Sequence, residues 1–445
     1  MLCLAKLRPG GHAYYLEVVA TGAEASGEWL SAGADLLGLS GNMAADDLAA
    51  VLAGADPSSG SRLGRSHDRV EVAGFDLTFC APKSVSLLHA LGARDVADQV
   101  RFGHGEAVRE ALSYVERSAL GLRRGTGAGR TVMPAEAVAA GGFLHRTSRA
   151  LDPHLHSHVV VANLGRAPDG TWSALDGRGI YAHAQAAGGL YHAHLRHELT
   201  RRLGVGWDPS RNGRADIAGI GPEVRRVFSR RAAAIEAHLA ERGLLAERPG
   251  PGPGPGQGRS PSRRARTVAA FATRAPRDPS LAPESLRGWW EERAREAGLS
   301  PRLLEATLDK VPRSLGRGGE AKDVSAEKGA QRAAEAVLVE LGRSVTRRDA
   351  VRAWCSVLGH GAPAKEIEHA AQAYLSKLAP VQGWAGERDG PGVAERSYVV
   401  EGRSAERGLL AEQSRMTGLL AARGISRADR RGFGRDVAAG LDLGF

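Results

Sequence analysis

The amino-acid sequence predicts an α+β fold: a central antiparallel sheet flanked by helices, followed by a mostly helical C-terminal region. Strand-like and helix-like patterns alternate through the N-terminal half of the chain. A run of alternating proline and glycine at residues 249–256 then interrupts these patterns. Beyond it, charged amphipathic helical patterns dominate. The 445 residues, 42% of them hydrophobic, are enough for more than one domain.

The proline–glycine run marks the main break in the predicted domain organisation. Alternating proline and glycine can neither pair as a strand nor continue a helix, so residues 248–266 are expected to be a flexible, basic insert. We expect one domain over residues 1–295, which contains this insert, and a helical region over residues 296–445. The end of the chain has weak periodicity, and part of this C-terminal tail is expected to be disordered.

The first predicted elements are a strand and two helices. Residues 70–82 alternate between apolar Phe75, Leu77 and Phe79 on one face and polar Asp76 and Thr78 on the other, as a strand does. A short helix over residues 83–92 should follow. A long helical region is expected over residues 95–122, with two glycines, at positions 103 and 105, as a candidate break.

The remaining elements before the insert are two strands, a helix, a hairpin and another helix. The strands are "GGFLHRTS" and "HLHSHVVVANLG", joined by a loop around Asp152 and Pro153. An amphipathic helix is predicted over residues 183–204 and a hairpin over residues 205–220, turning at Asn212-Gly213. Residues 221–243 are predicted to form one helix, with proline in its first turn and glycine just past its end.

The charge balance favours a phosphate-rich partner. The formal net charge is +10, and 53 of the 60 basic residues are arginine. Arginine binds phosphate oxygens with two parallel hydrogen bonds, although a bias towards GC-rich codons gives the same composition. Composition alone leaves nucleic acid binding and codon bias about equally open.

The cysteine content and hydropathy indicate a cytoplasmic protein without a membrane anchor. The three cysteines, Cys3, Cys80 and Cys355, form no CxxC pair, which suits a reducing compartment and disfavours a disulfide scaffold. No apolar run approaches the roughly 18 residues that a membrane span requires.

Four histidines are crowded into residues 145–158, and they indicate a metal site. His154, His156 and His158 alternate on a strand and so share one face, with adjacent members roughly 7 Å apart along the strand. A metal ion at about 2.0–2.1 Å from an imidazole nitrogen can bridge one adjacent pair, but three ligands from one straight strand would be strained. The third ligand is therefore expected from the preceding strand, where His145 is the candidate.

Other interpretations of the histidine pattern are weaker. A polar strand face whose histidines meet only water would be preferred for one isolated histidine, but not for a spaced pair with a third histidine one strand away. A cupin-like site needs a glutamate a few residues after the pair, and a metallo-hydrolase of the HxHxDH type needs Asp-His next. Here the chain continues "VVVANLG".

The two motifs "GFDLTFCAPKSVSLLHALG" and "LHRTSRALDPHLHSHVVVANL" resemble the relaxase domain of the TrwC/TraI-type (MobF) conjugative relaxases, which are HUH endonucleases. The resemblance runs from the N-terminus to about residue 245 and resumes weakly at residues 267–277. It implies a metal-dependent nick in plasmid DNA at the transfer origin. The family's His-x10-His-x-His metal set falls on His145, His156 and His158. His154 is outside that pattern, and no G-x-x-x-x-G-K-[ST] helicase loop occurs.

The resemblance also implies a tyrosine nucleophile, a helper carboxylate and a divalent cofactor. In the family the nucleophile is an N-terminal tyrosine, and "GGHAYYLEVV" offers Tyr14, the first choice, and Tyr15. Asp76 matches a family carboxylate that could accept the tyrosine proton or orient a metal-ligand imidazole. Many relatives carry two spaced tyrosine pairs, whereas only one occurs here, so a second cleavage by another tyrosine is in doubt. A three-histidine site accepts Mg²⁺, Mn²⁺ or Zn²⁺.

The implied partners are single-stranded DNA at the transfer origin and the accessory and coupling proteins of the relaxosome, with no membrane partner. Two alternatives stay open: a DNA-binding module that keeps the fold but does not cut, and a rolling-circle replication initiator with the same chemistry. Seven basic residues are expected to contact DNA phosphates, although each could equally be a solvated surface charge: Lys83, Arg146, Arg149, Arg196, Arg225, Arg226 and Arg230.

Overall fold

The computed structural model describes residues 2–13, 15, 26–64, 71–125, 131–244, 261–273, 283–311, 324–341, 344–380 and 397–399. The strands are β1 (Leu2–Leu7), β2 (Glu28–Trp29), β3 (Gly74–Cys80), β4 (Gly121–Arg124), β5 (Thr131–Pro134), β6 (Ala137–Thr147), β7 (Pro153–Arg166), β8 (Trp172–Ser173), β9 (Leu175–Asp176), β10 (Val345–Thr346) and β11 (Ser397–Tyr398).

The helices flank the central sheet and make up most of the described residues after residue 295. They are α1 (Ala32–Asp35), α2 (Ala45–Leu52), α3 (Lys83–Leu91), α4 (Arg94–Ala119), α5 (Gly177–Leu203), α6 (Pro222–Val227), α7 (Arg230–Glu241), α8 (Arg263–Ala272), α9 (Pro283–Glu296), α10 (Pro301–Glu305), α11 (Val324–Glu340), α12 (Arg347–Val357) and α13 (Ala364–Leu375). The predicted α+β fold with a helical C-terminal region is confirmed.

The central sheet is antiparallel and places β7 in its middle. The strand order is β1-β3-β7-β6-β2, and β8 pairs with the end of β7. β7 is the longest strand, with 14 residues, and has β3 on one side and β6 on the other. Side chains on the same face of these three strands therefore converge at the centre of the sheet.

The two faces of the sheet are buried against different parts of the chain. Phe75, Leu77 and Phe79 of β3 point into the larger core, which they share with α3, α4 and α5. On the opposite face, Phe143 and Val160 join a smaller core built mainly from residues 7–52. Asp76 and Thr78 of β3 and the histidines of β7 lie on this second face, so the strand alternation predicted from sequence separates these side chains from the helical layer.

The long helix α4 runs without a break through both glycines that were candidate interruptions. A Cβ atom on Gly103 would lie 3.1 Å from Leu199 Cδ2 and 3.2 Å from Glu198 Cβ. The small residue thus lets α4 approach α5 closely, and this packing accounts for a glycine inside a helix. The predicted hairpin turn is confirmed, since Asn212 and Gly213 have positive φ angles of 52° and 77°.

The single helix predicted over residues 221–243 is instead two helices, α6 and α7. The chain leaves the helical path at Phe228, whose side chain is fully buried. The backbone N–H of Arg230 then donates to Asp152 Oδ2 at 2.9 Å. This bond to the β6–β7 loop takes the place of the helical hydrogen bond, so tertiary packing overrides the local helix pattern.

Most of the predicted insert lies outside the described residues. Its last residues, however, form the first turn of α8, where Ser262 Oγ accepts from the backbone N–H of Ala265 at 3.1 Å. The predicted insert therefore overlaps α8 at this end, where residues 263–266 contain neither proline nor glycine and a serine cap is available.

The C-terminal helices share the larger core with the sheet and its helices. Val351 of α12 and Ile367 of α13 belong to the same buried cluster as Leu77 of β3. Glu368 accepts from Arg117 of α4 and from Arg347, each at 2.7 Å. The division at residue 295 stays a prediction, although apolar contacts and ion pairs cross it. Among the described residues, no helix is both long and apolar enough to cross a membrane.

Candidate active site

Three histidines meet on the second face of the sheet. His145 of β6 is the register partner of His156 of β7, and His158 follows two residues later on the same face. The three ring centroids are 5.2, 5.0 and 5.2 Å apart, and one nitrogen of each ring lies within 4.8 Å of those of the other two. We call His145, His156 and His158 the histidine triad.

Hydrogen bonds fix the orientation of two triad rings. His156 Nδ1 lies 2.8 Å from the backbone oxygen of His154. His158 Nδ1 lies 2.9 Å from Asp76 Oδ2 and 3.0 Å from Oδ1. When Nδ1 is the donor in these bonds, the Nε2 lone pair of each ring is left for a metal ion, as in many histidine–metal sites.

The donor set of the triad fits a divalent metal ion. A metal ligand must be a neutral imidazole, and the pKa of His156 lies well below its usual value because the ring is buried and other histidines surround it. Three nitrogen ligands from two adjacent strands leave further coordination positions open, as a catalytic site requires. His145 and His156 are buried and His158 is half-buried, so one side of the triad remains accessible.

His154 is next to the triad but not part of it. Its ring stacks on that of His156, with centroids 4.5 Å apart and an interplanar angle of 29°. Burial lowers the pKa of His154 to about 3. Its backbone oxygen and its ring both hold His156 in place, which gives His154 a supporting position.

Asp76 of β3 connects the triad to Tyr15. Its carboxylate accepts from Tyr15 Oη at 2.9 Å and from Thr78 Oγ1 at 3.2 Å, in addition to His158. Asp76 is 8% exposed. Both carboxylate oxygens therefore already accept hydrogen bonds, an arrangement that suits a group that orients its neighbours.

Of the two predicted tyrosines, Tyr15 lies beside the triad, and Tyr14 lies outside the described residues. The Tyr15 ring stacks on Phe143 at a centroid distance of 5.1 Å and lies 5.3 Å from the His158 ring. Sequence reasoning missed Phe143, although it precedes His145 by two residues on a strand and therefore had to share its face.

A buried chain of hydrogen bonds supports the triad from the opposite face of the sheet. Ser157, between two triad members, points to the opposite face, where its Oγ lies 2.8 Å from His104 Nε2. His104 Nδ1 lies 2.8 Å from Tyr191 Oη on α5. Burial lowers the pKa of His104 to about 3, so this ring stays neutral. No local sequence pattern pairs a helix histidine with a strand serine 53 residues away.

Arg196, one of the seven predicted phosphate contacts, lies inside the protein, so its role in DNA binding stays a prediction that its burial does not support. It is 1% exposed, and its guanidinium donates to the backbone oxygens of Gly213, Cys355 and Leu358 at 2.7, 2.9 and 3.0 Å. The helix α5 is covered on this side by α12, so the arginine stabilises a buried helix contact. The amphipathic pattern of α5 could not reveal that its basic face packs against a distant helix.

The other six predicted phosphate contacts differ in accessibility. Arg226 is the most exposed, with 71% of its side chain accessible and a 3.2 Å ion pair to Glu223. Lys83 donates to the backbone oxygen of Pro153 at 2.6 Å, and burial lowers its pKa to about 8. Arg149 is half-buried in the β6–β7 turn.

Like Arg226, the three remaining arginines form ion pairs within the fold. Arg146 pairs with Glu284, Arg230 pairs with Asp152 at 2.8 Å, and Arg225 lies 3.5 Å from Asp208. Their predicted role in DNA binding stays a prediction.

Comparisons with known proteins agree with this geometry. The model of the TrwC relaxase family matches residues 5–297. The multifunctional conjugation protein TraI of Escherichia coli is 30% identical over 296 residues, which cover 63% of this chain, and TraI of strain K12 is 30% identical over 329 residues, which cover 69%. The chain spans 15% and 17% of the length of these two relatives.

Solved structures of the conjugative relaxase TrwC in complex with oriT DNA are also similar. The metal-bound complex is 31% identical, with a TM-score of 0.58, and the match covers 67% of this chain and 99% of that one. A complex with a 27-mer DNA comprising the recognition hairpin and the cleavage site is 32% identical, with a TM-score of 0.57. Together with the match of the family model over most of the chain, these likenesses show that the chain belongs to the TrwC relaxase family.

Proposed function

We propose that this chain is a metal-dependent, site- and strand-specific DNA-nicking transesterase that acts at a plasmid transfer origin for conjugative DNA transfer. The observation that carries the proposal is the histidine triad, which lies on the same sheet face as Asp76 and Tyr15. Relatives described as a conjugation protein and as a relaxase in complex with oriT DNA support the choice of substrate.

In the proposed reaction the Tyr14 hydroxyl oxygen attacks the phosphorus of one phosphodiester. A bond forms between that oxygen and phosphorus, and the bond from phosphorus to the 3′-oxygen breaks. The phenol proton ends on the departing 3′-oxygen, which gives a 5′-phosphotyrosine and a free 3′-hydroxyl. The number of phosphoester bonds is unchanged, so the strand can later be rejoined.

The chain's own residues hold the parts of this reaction in place. The triad would hold a divalent ion, which when bound supplies a Lewis acid that polarises the scissile phosphate. Asp76 keeps the His158 ring oriented through its bonds to Nδ1. Because both oxygens of Asp76 already accept hydrogen bonds, we assign it the orienting role and leave the phenol proton to the leaving group.

The central experiment is mass spectrometry of the protein after reaction with a single-stranded oligonucleotide that contains the origin. We expect a covalent adduct on the peptide that contains Tyr14, and no adduct with Tyr14→Phe, because the substitution keeps the ring and removes only the attacking oxygen. EDTA should also prevent the adduct.

Three other outcomes identify the alternatives. Binding of the oligonucleotide without an adduct in the wild type would favour a DNA-binding module that does not cut. Cleavage that persists in Tyr14→Phe/Tyr15→Phe would identify a metal-bound water as the nucleophile, and thus a hydrolytic nuclease. A rolling-circle initiator would act on a replication origin in preference to a transfer origin.

The salt dependence of DNA binding tests whether exposed arginines contact phosphates. Each phosphate contact should lower the affinity for single-stranded DNA by about 0.7 log units per log unit of salt. Arg226→Ala should therefore reduce the slope by about 0.7. Arg302→Ala, which removes the same charge from an exposed position in α10, should leave the slope unchanged. Fluorescence anisotropy at four or more salt concentrations measures these slopes. Equal slopes in wild type and Arg226→Ala would exclude this residue from the DNA contact.

The cellular setting follows as part of the same proposal. We place the protein in the cytoplasm, where reducing conditions would keep Cys3, Cys80 and Cys355 as free thiols. Relaxosome accessory proteins and a coupling protein are its proposed protein partners.

A further inference from the structure

Tyr14 and Tyr15 are neighbours in sequence, but the surroundings of Tyr15 suit a role other than attack on DNA. We propose that Tyr15 is a positioning residue: its bond to Asp76 and its stack on Phe143 fix the place from which Tyr14 attacks the phosphate. The inference rests on the proposed function, in which Tyr14 supplies the nucleophilic oxygen.

Burial is the first argument against Tyr15 as the nucleophile. Tyr15 is 4% exposed, and its ring is enclosed between Phe143 and His158. A nucleophilic oxygen has to come within about 3–3.5 Å of phosphorus, in line with the bond that breaks. A DNA strand cannot reach the Tyr15 oxygen in this position unless the ring leaves its slot.

Charge is the second argument. The Tyr15 hydroxyl already donates to Asp76 Oδ2 at 2.9 Å. A phosphate that reached this oxygen would come close to the Asp76 carboxylate, and two anions so close in a partly buried site repel each other strongly. Asp76 therefore stabilises the Tyr15 hydroxyl as a donor and disfavours a phosphate at the same oxygen.

The path of the chain explains how Tyr15 can place Tyr14. β1 pairs with β3 so that Ala5 is the register partner of Asp76. From the end of β1 the chain makes successive tight turns, with bonds from Gly11 N–H to Arg8 O and from Tyr15 N–H to His12 O, both 3.0 Å. The Tyr15 hydroxyl then returns to Asp76, so the segment is held on β3 at both ends.

The consequence for Tyr14 follows from peptide geometry. Consecutive Cα atoms are about 3.8 Å apart, so a Tyr15 held in one place keeps the Cα atom of Tyr14 within that distance of its own. Loss of the anchor should leave DNA and metal binding intact and reduce only the fraction of time that Tyr14 spends in line with the phosphate.

The test measures the single-turnover rate of adduct formation for Tyr15→Phe on the metal-loaded protein with the origin oligonucleotide. We expect the rate to fall about 10- to 100-fold, the range that a misplacement of about 1 Å can cause, with the adduct still on Tyr14. The affinity for the oligonucleotide and for Mn²⁺ should stay within twofold of the wild type. Tyr181→Phe, which removes a hydroxyl from a tyrosine that is 42% exposed, is the matched control and should react at the wild-type rate.

A second variant separates positioning from a general loss of structure. Phe143→Leu removes the ring on which Tyr15 stacks and should slow the adduct in the same way. Because both substitutions act on one anchor, the double variant should be no slower than the slower single variant.

Three results would overturn the inference. They are a wild-type adduct on Tyr15, a Tyr15→Phe rate within twofold of the wild type, and a loss in Tyr15→Phe that lies entirely in DNA or metal affinity. A wild type that forms no adduct on either tyrosine would overturn the proposed function itself, and the inference with it.

Discussion

His156→Ala and His158→Ala are each expected to abolish divalent-metal binding and origin nicking, whereas His154→Ala should retain both. Loss of a residue that only supports a metal ligand typically costs 10- to 100-fold in metal affinity. Loss of one of three ligands should therefore cost more than about 100-fold. His154 only stacks on His156 and offers its backbone oxygen, so its alanine variant should lose less than about tenfold.

Isothermal titration with Mn²⁺ or Zn²⁺ and a nicking assay on the same preparations check this expectation. Asp76→Asn is the intermediate case, because it weakens the support of His158 and leaves all three ligands in place. It should lose about 10- to 100-fold in metal affinity. Equal losses in the alanine variants of His154, His156 and His158 would contradict the ligand assignment.

A steep loss of stability below pH 6.5 is the second large expected effect. Burial lowers the pKa of His89 to about 4, that of His104 to about 3 and that of His192 well below its usual value. The unfolded chain takes up protons at these histidines near pH 6.5, whereas the folded chain does not. Stability should therefore be present above about pH 6.5 and fall as the pH is lowered towards 4.

The carboxyl group of Glu116 has the opposite effect on how the free energy of unfolding depends on pH. Burial raises the pKa of Glu116 to about 7, so the folded state holds this proton between about pH 7 and 4.5 while the unfolded state releases it. In this pH range the unfolded state binds three histidine protons that the folded state does not, and the folded state binds one proton, on Glu116, that the unfolded state does not. The unfolded state therefore binds about two protons more than the folded state. The free energy of unfolding should then fall by about 3 kcal/mol per pH unit between pH 6 and 4.5.

Urea unfolding at several pH values, with EDTA present throughout, measures this slope. In the metal-free protein the buried His154 and His156 add to the loss, because burial lowers their pKa as well. The slope is thus a lower bound. His104→Gln should reduce it by about 1.4 kcal/mol per pH unit, which corresponds to one proton. A stability that is constant from pH 6.5 to 4.5 would contradict the buried neutral state of these histidines.

The metal site was predictable because it depends on local periodicity. Two histidines two residues apart on a strand share a face, and a short loop to the preceding strand brings His145 into register with His156. Strand geometry and the reach of a metal–nitrogen bond also showed that one straight strand cannot supply all three ligands, but they left either adjacent pair of β7 open. The family's His-x10-His-x-His pattern was needed to place His154 outside the expected ligand set.

The rest of the site depends on contacts between distant segments. The bond from Tyr15 to Asp76 joins residues 61 positions apart, and the bond between His104 and Ser157 spans 53 positions. No periodicity encodes either pairing. Arg196 shows most clearly what sequence patterns cannot predict. As part of a basic helix face it resembles a phosphate contact, yet it is buried by partners from residues 355–358, far along the chain.

The contact between α5 and α12 has a consequence for how the molecule unfolds. Arg196 bonds two carbonyl oxygens of the C-terminal helices, and a Cβ atom on Gly189 would lie only 3.2 Å from that of Cys355. Separation of the helices would leave a buried guanidinium without its partners and expose the apolar side of α5. Tyr191, on another face of the same part of α5, supports the strand of the triad through His104. The sheet and the C-terminal helices thus form one cooperative unit, in which neither part can melt while the other keeps its full native free energy.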